Sequence, residues 1–407
     1  MDVPPSPGMR IACVGGGPAG LYFGILASQL GEGHEVTVYE RFPEGVTYGW
    51  GVVFWDDLLA QLGRRDLPTA QRVRSNAVRW EDQVIDIRGR EPVRIPDHGY
   101  SMARQTLLGV LADRARELGV RIHYGHPVDD VSQLAGTADL VVASDGVNST
   151  TRGRQPEAFG TDVVQRRNKY MWLGTSRVFG SFTFPFVETE AGWVWAHAYG
   201  FDGDTSTFVV ETAPETWRGL GFDRLGTDAT MRRLESIFAP TLDGHALRPQ
   251  HGTRDAAPWL QFQRVTNARW HAGRLVLMGD AAHTTHFTIG SGTRLALEDA
   301  MELADALAGR DDLEQSLEAY GRRRRAALRQ TQRMADSSAT WFEQLPRYVQ
   351  QDRFADLLQR RFSAAQAHLP TATFLRLSDA ALSAPAITVP ARKAVQRVLS
   401  LRRSARR

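Results

Sequence analysis

Arg10-Ile11-Ala12-Cys13-Val14-Gly15-Gly16-Gly17-Pro18-Ala19-Gly20, continuing into Leu21-Tyr22-Phe23-Gly24-Ile25-Leu26, is the stretch that decides the fold. A short apolar run that stops at glycines and resumes at helical spacing as far as Leu30 reads as strand, tight turn and helix. Gly15 permits the turn, Gly17 lets phosphates approach the backbone, and Gly20 lets the helix lie close on the strand. Pro18 and Ala19 open that helix, whose free N–H groups suit anionic phosphates. A second strand, Glu35-Val36-Thr37-Val38-Tyr39, ends at Glu40, twenty residues beyond Gly20. An acid there accepts hydrogen bonds from ribose hydroxyls, and Arg41 beside it joins the cofactor-binding candidates. The six-residue glycine motif alone is weak; strand, helix and acid together make it a dinucleotide-binding unit with parallel strands.

Working outward, the apolar runs Asp139 to Ala143, before Ser144-Asp145-Gly146, and Arg274 to Met278, before Gly279-Asp280, read as buried strands of the same sheet. From about Gln165 to Gln263 the period changes to two, which predicts an antiparallel sheet. Within it, Trp193-Val194-Trp195-Ala196-His197-Ala198-Tyr199 puts Trp193, Trp195, His197 and Tyr199 on one face. Helical spacing returns from Leu295 to Leu307 and from Leu313 to Phe342, and the cationic end Arg392 to Arg407 reads as a last helix. The expected class is α/β. Segments 1–75, 101–164 and 264–320 form a discontinuous Rossmann-like domain, 76–100 and 165–263 an inserted antiparallel-sheet substrate domain, and 321–407 a C-terminal helical region.

Composition narrows the function. The 407 residues carry 49 Lys and Arg against 46 Asp and Glu, a net charge of only +3, so bulk nucleic-acid binding is not implied. The single cysteine, Cys13, excludes an intramolecular disulfide framework and fits a reducing compartment. Met1-Asp2-Val3-Pro4-Pro5 lacks a signal-peptide pattern, and no apolar run approaches the roughly 20 residues a membrane span needs. The expectation is a cytoplasmic protein, monomer or homodimer, without membrane or nucleic-acid partners. His283 and His286 lack a carboxylate or thiol partner set, so no metal site is expected.

Three ordered motifs carry a resemblance: Gly15 to Gly20; Asp145-Gly146 with Ser149 and Arg152; and Gly279-Asp280 through Gly290-Ser291-Gly292-Thr293 to Asp299-Ala300. Together they resemble the single-component FAD-dependent aromatic hydroxylases, the class that includes para-hydroxybenzoate hydroxylase. The resemblance implies that FAD is held by Gly15, Gly17, Pro18, Ala19, Gly20, Glu40, Arg41, Arg104 and Asp280, and that Asp145, also cofactor-binding, serves with Gly146 a dual role in the fold and in NAD(P)H handling. Backbone N–H groups of Gly290, Ser291, Gly292 and Thr293 would face the flavin, where a helix N-terminus favours negative charge on the reduced ring. Two positions depart from the class: Phe287 replaces a usual proline and Arg294 a usual asparagine.

A narrower resemblance lies in Tyr48-Gly49-Trp50-Gly51-Val52-Val53, Arg167 to Thr175, His197-Ala198-Tyr199 and Ser206 to Glu211. These are similar to the subgroup containing salicyloyl-CoA 5-hydroxylase, 2-aminobenzoyl-CoA monooxygenase/reductase and the tryptophan-skeleton hydroxylase of violacein biosynthesis. The implied chemistry is reduction of FAD by NADH or NADPH, addition of O2 to give a flavin hydroperoxide, and attack on it by an electron-rich arene. Aryl-CoA thioesters rank first as substrates, with salicyloyl-CoA converted to gentisyl-CoA by 5-hydroxylation. His197 is the candidate catalytic base, with a structural histidine as the alternative. Trp50, Trp172, Trp195, Tyr199 and His286 are candidates to wall the substrate. An indolic natural-product substrate, or a non-hydroxylating flavoprotein of the same fold, remains open. Against a halogenase, Trp193-Val194-Trp195 supplies only the first half of the W-x-W-x-I-P signature.

Overall fold

Apolar runs ending at glycine turns build the centre of the first sheet. The computed structural model describes residues 8–361 except 32, 135, 250–257 and 309–311, together with residue 373. Six strands among these form a sheet in the order His271–Ala272, Leu275–Leu277, Leu140–Ala143, Arg10–Val14, Glu35–Tyr39, Arg121–His123. All pairs are parallel except the edge pair His271–Ala272 with Leu275–Leu277. Arg10–Val14, Leu140–Ala143 and Leu275–Leu277 are covered on both faces, which is why they read as continuous apolar runs, whereas the edge strand Arg121–His123 is largely exposed. Helix Pro18–Ala27 is buried at every position and packs against helix Gly292–Leu307, so the two glycine-rich turns open side by side.

Period-two alternation builds the second sheet. Among the described residues its order is Leu247–Arg248, Thr161–Thr175, Ser206–Thr212, Gly192–Gly200, Phe182–Thr189, Val78–Ile87, Val93–Ala103, Gly51–Phe54, with Leu260–Asn267 also paired to Thr161–Thr175. The antiparallel expectation has one exception, for Val78–Ile87 runs parallel to Phe182–Thr189. The sheet also recruits Gly51–Phe54, from a segment assigned by sequence to the nucleotide domain.

The two faces of this sheet have different covers. Val194, Ala196, Ala198, Phe208 and Val210 pack under helix Thr227–Ile237 through Met231 and Leu234. On the other face Phe184, Phe186, Trp193 and Trp195 pack against Trp341, Phe342, Leu345 and Phe354. Phe342 belongs to helix Leu313–Glu343 and is fully buried, so truncating it to alanine would cost about 3–5 kcal/mol. The aromatic face read from the sequence is therefore split: its Trp193–Trp195 half is roofed by residues 341–358, and its His197–Tyr199 half is open. Among the described residues no helix is long and apolar enough to cross a membrane. The cationic segment Arg392 to Arg407 lies outside the described residues.

Candidate active site

The glycine turn is fixed from the neighbouring strand. Gly15 has φ 109°, and a Cβ there would overlap the Ser144 carbonyl oxygen; one on Gly20 would overlap the Gly15 carbonyl and the Ser144 hydroxyl. The Ser144 hydroxyl lies 3.1 Å from the Val14 carbonyl oxygen and 2.9 Å from that of Gly15. A Cβ on Gly17 would meet nothing within 4 Å, so this position faces open space at the N-terminus of helix Pro18–Ala27. Glu40 closes the far side of the turn, accepting from the Gly16 N–H at 2.7 Å and the Phe42 N–H at 2.8 Å.

From this turn a cavity of about 1440 Å³ runs through the protein. Ligand pockets usually hold about 300–1,000 Å³, so this one has room for more than a single ligand. Gly15, Gly17, Pro18, Ala19, Glu40, Arg41, Arg104, Asp145, Asp280 and Gly290 through Thr293 all line it, whereas Gly20 is buried beneath the turn.

Its charges are arranged for a polar, phosphate-bearing ligand. The Nε–H of Arg104 donates to the Thr47 hydroxyl at 3.2 Å; burial lowers its pKa while Asp280 and Glu40 raise it. Asp280 faces the cavity, and burial pushes its carboxyl up while His283, Arg104 and Arg152 pull it down. Asp145 accepts from the Thr151 N–H at 3.2 Å through Oδ2, while its buried Oδ1 has no partner. These residues fit FAD: an open glycine position at a helix N-terminus, an unsatisfied acceptor and a cationic side chain line one cavity, and these are the groups that pyrophosphate and ribose need.

A buried network holds the second turn. Asp299 accepts from the Gly279 N–H at 3.0 Å and from Arg324 Nε at 2.7 Å, and its Oδ2 lies 2.8 Å from His283 Nε2. The His283 ring stacks on Trp270, with centroids 5.1 Å apart. His283 thus anchors the Gly279-Asp280 turn and does not line the cavity.

Beyond Gly290 the cavity becomes aromatic. His197, Tyr199 and Trp172 line it with Phe184 and Phe287. The Tyr199 hydroxyl donates to the Gly51 carbonyl at 2.9 Å, which ties this wall to the Gly51–Phe54 strand. His197 stands edge-to-face with Phe184, Phe287 and Phe342. Its Nε2 lies 3.5 Å from Glu211 Oε2. Burial lowers the His197 pKa, Glu211 opposes that shift, and Arg361 reinforces it, so the neutral imidazole is favoured.

Three substrate candidates are not brought to this wall. Trp195 stacks on Phe342 with centroids 5.8 Å apart, and its Nε1–H donates to Glu211 at 3.1 Å behind the wall. Trp50 packs over Gly174 and against Phe201 instead of entering the cavity. His286 is displaced by Phe287, which takes the cavity-facing place and stacks on it at 4.4 Å. His286 lines a separate cavity of about 80 Å³ beside Arg166 and Arg264. Burial pushes its pKa down to about 4.

Sequence reading missed Glu211, Asn168 and Arg361. Glu211 is an acid inside an otherwise uncharged strand, a signal present in the sequence; Arg361, over the rings of Phe184 and Phe342, gave none.

The fold and cavity define a flavin-dependent oxygenase, and the chain belongs to the family described as FAD binding domain, which it matches over residues 9–335. Within it, this chain is 39% identical over 354 residues to 3-hydroxy-4-methyl-anthranilyl-(aryl-carrier protein) 5-monooxygenase of Streptosporangium sibiricum, covering 87% of this chain and 94% of that one. It is 34% identical over 351 residues to salicyloyl-CoA 5-hydroxylase of a Streptomyces species, covering 84% of this chain but only 66% of that relative's length. Among solved structures, 2-methyl-3-hydroxypyridine-5-carboxylic acid oxygenase superposes with a TM-score of 0.67 at 19% identity, covering 87% of this chain and 96% of that one; this likeness establishes the fold. The protein is a class A FAD-dependent aromatic monooxygenase, with NAD(P)H the electron donor typical of the family.

Proposed function

We propose that the protein hydroxylates an electron-rich aromatic acyl thioester, with 5-hydroxylation of salicyloyl-CoA to gentisyl-CoA as the leading case. One observation carries this reading: a single cavity joins the FAD cradle to an aromatic compartment whose wall holds the His197 imidazole. Two relatives named for aryl thioesters, one on CoA and one on an aryl-carrier protein, support that substrate class.

FAD, reduced by NAD(P)H, supplies the activated oxygen. The chain supplies the rest. Gly290 through Thr293 line the cavity at the start of helix Gly292–Leu307 and would present it to the flavin, where its dipole would favour anionic charge. Trp172, Tyr199 and Phe184 exclude water and position the ring. His197, held neutral by burial, accepts the proton of the ring hydroxyl, which raises electron density at the para carbon.

NADH and NADPH consumption by the FAD-loaded enzyme, with salicyloyl-CoA or free salicylate added, tests this. Stimulation by the thioester and not by the acid is expected. A reducible flavoprotein that responds to neither would overturn the thioester assignment and turn the search to indolic substrates.

A further inference from the structure

Strand Ser206–Thr212 carries a single charged side chain, and the fold buries it. Glu211 is 1% exposed, and an isolated buried carboxylate is costly unless donors converge on it. The two strands that flank it provide them. Asn168 Nδ2 donates to Oε1 at 2.8 Å and Trp195 Nε1 donates to Oε2 at 3.1 Å, while His197 Nε2, buried and without a hydrogen-bond partner, lies 3.5 Å from Oε2. Glu211 and Asn168 do not line the cavity, whereas His197 does. The carboxylate is thus held by two fixed donors beside the His197 ring, which itself lines the cavity.

We infer that Glu211 is a positioning residue: it takes Nε2 as the protonated nitrogen of His197 and so presents Nδ1 to the substrate as the proton acceptor. This rests on the reading of His197 as the base. The physical reason is the inventory of the pair. A carboxylate only accepts, so the ring nitrogen facing it carries the hydrogen, and in a neutral imidazole the other nitrogen then has the free lone pair. Contacts of this kind are often long before substrate binds and tighten in the complex.

The proton inventory closes. The ring O–H bond of the substrate breaks, its proton passes to Nδ1, and its electron pair stays on the ring oxygen. The imidazolium so formed faces the Glu211 anion. After oxygen insertion the substituted carbon loses its hydrogen on rearomatisation as a proton that neutralises the oxygen left by the broken O–O bond, and Nδ1 returns its own to the ring oxygen.

Charged neighbours on other elements set the strength of the effect. Arg361, whose burial lowers its pKa to about 9, stays cationic and disfavours the imidazolium, and His286 is neutral above its pKa of about 4. Glu211 is the anion that opposes Arg361; despite burial, His197, His286 and Asn168 hold its pKa below the usual value.

Nitrogen-15 NMR of histidine-labelled, FAD-loaded protein tests the inference without any substrate, with the His197 signals assigned by their loss in His197→Gln. The wild type is expected to show His197 as the Nε2–H tautomer, and Glu211→Gln to lower its protonation midpoint further. With an arene that the wild type hydroxylates, Glu211→Gln should lower kcat about tenfold with KM little changed and shift the pH profile. A wild-type Nδ1–H tautomer overturns the inference whether or not the variant folds. An unchanged His197 titration in a Glu211→Gln protein that retains its FAD does so too. If the tautomer is as expected but His197→Gln retains full activity, the base reading fails and the positioning role of Glu211 fails with it.

Discussion

Glu40 reaches back across the glycine turn to accept the N–H of Gly16 at 2.7 Å, so the acid that ends the second strand is locked to the loop that follows the first. Its other oxygen accepts from Phe42 at 2.8 Å, and the carboxylate is held on the cavity wall without help from a ligand. Acceptors fixed in advance add to affinity because little entropy is lost when ribose hydroxyls arrive. Glu40→Ala should weaken FAD binding roughly 10- to 100-fold, the equivalent of losing charged hydrogen bonds. Flavin fluorescence during titration of the apoprotein measures it.

Gly15 and Gly17 separate stability from binding. At Gly15 the backbone lies at φ 109° and a Cβ would overlap Ser144, so Gly15→Ala should cost about 1–3 kcal/mol or more and lower Tm by several degrees. At Gly17 a Cβ meets nothing, so Gly17→Ala should leave the apoprotein's Tm nearly unchanged and weaken FAD binding by crowding the phosphates. Melting curves of both apoproteins, beside flavin titrations, compare the two.

Asp299 links the helix Gly292–Leu307 to the Gly279-Asp280 turn and is fully buried. Asp299→Asn leaves Arg324 and His283 facing a neutral group, and breaking a buried pair of this kind costs about 3–5 kcal/mol. Burial raises the Asp299 pKa, but His283 and Arg324 lower it further, and the net shift is downward. A depressed carboxyl contributes stability above its unfolded pKa, near 3.9, and loses it as pH falls through the folded value. Urea unfolding at pH 7 and below pH 4 should therefore show the variant's deficit shrinking in acid.

His286 acts in the same direction over a higher pH range. Buried as the neutral ring with a pKa of about 4, it takes a proton in the unfolded chain near 6.5 but not in the folded one. Stability therefore falls as pH drops from 6.5 to 4 and levels below that, by on the order of a few kcal/mol at most. His286→Gln should flatten this part of the pH–stability curve, measured by chemical unfolding at half-unit steps.

Legibility in the sequence followed the range of the interactions. Gly15 through Ala19, Glu40, Asp145, Asp280 and Gly290 through Thr293 share one cavity, and each sits at a turn whose chemistry is local. Period-two alternation correctly put Trp195, His197 and Tyr199 on one side of their strand, but alternation does not say what covers a face. Phe342, from far along the chain, roofs Trp195, and that cover leaves only His197 and Tyr199 open. Trp50 and His286 went astray similarly, since the Trp50 ring settles over Gly174 and Phe287 takes the cavity-facing place beside His286. Glu211 was visible as a lone acid on a strand, yet its meaning came only when Asn168, Trp195 and His197 converged on it.

The central claim is that one cavity brings FAD and an arene together for oxygen transfer. The direct test is mass spectrometry of the product formed under ¹⁸O2 by the FAD-loaded enzyme, salicyloyl-CoA and NAD(P)H. The account predicts one ¹⁸O atom in the ring of a gentisyl thioester, and much reduced incorporation in His197→Gln. Oxidation of NAD(P)H with all oxygen recovered as peroxide and none in salicyloyl-CoA or any other aromatic acyl thioester or indole supplied would contradict it.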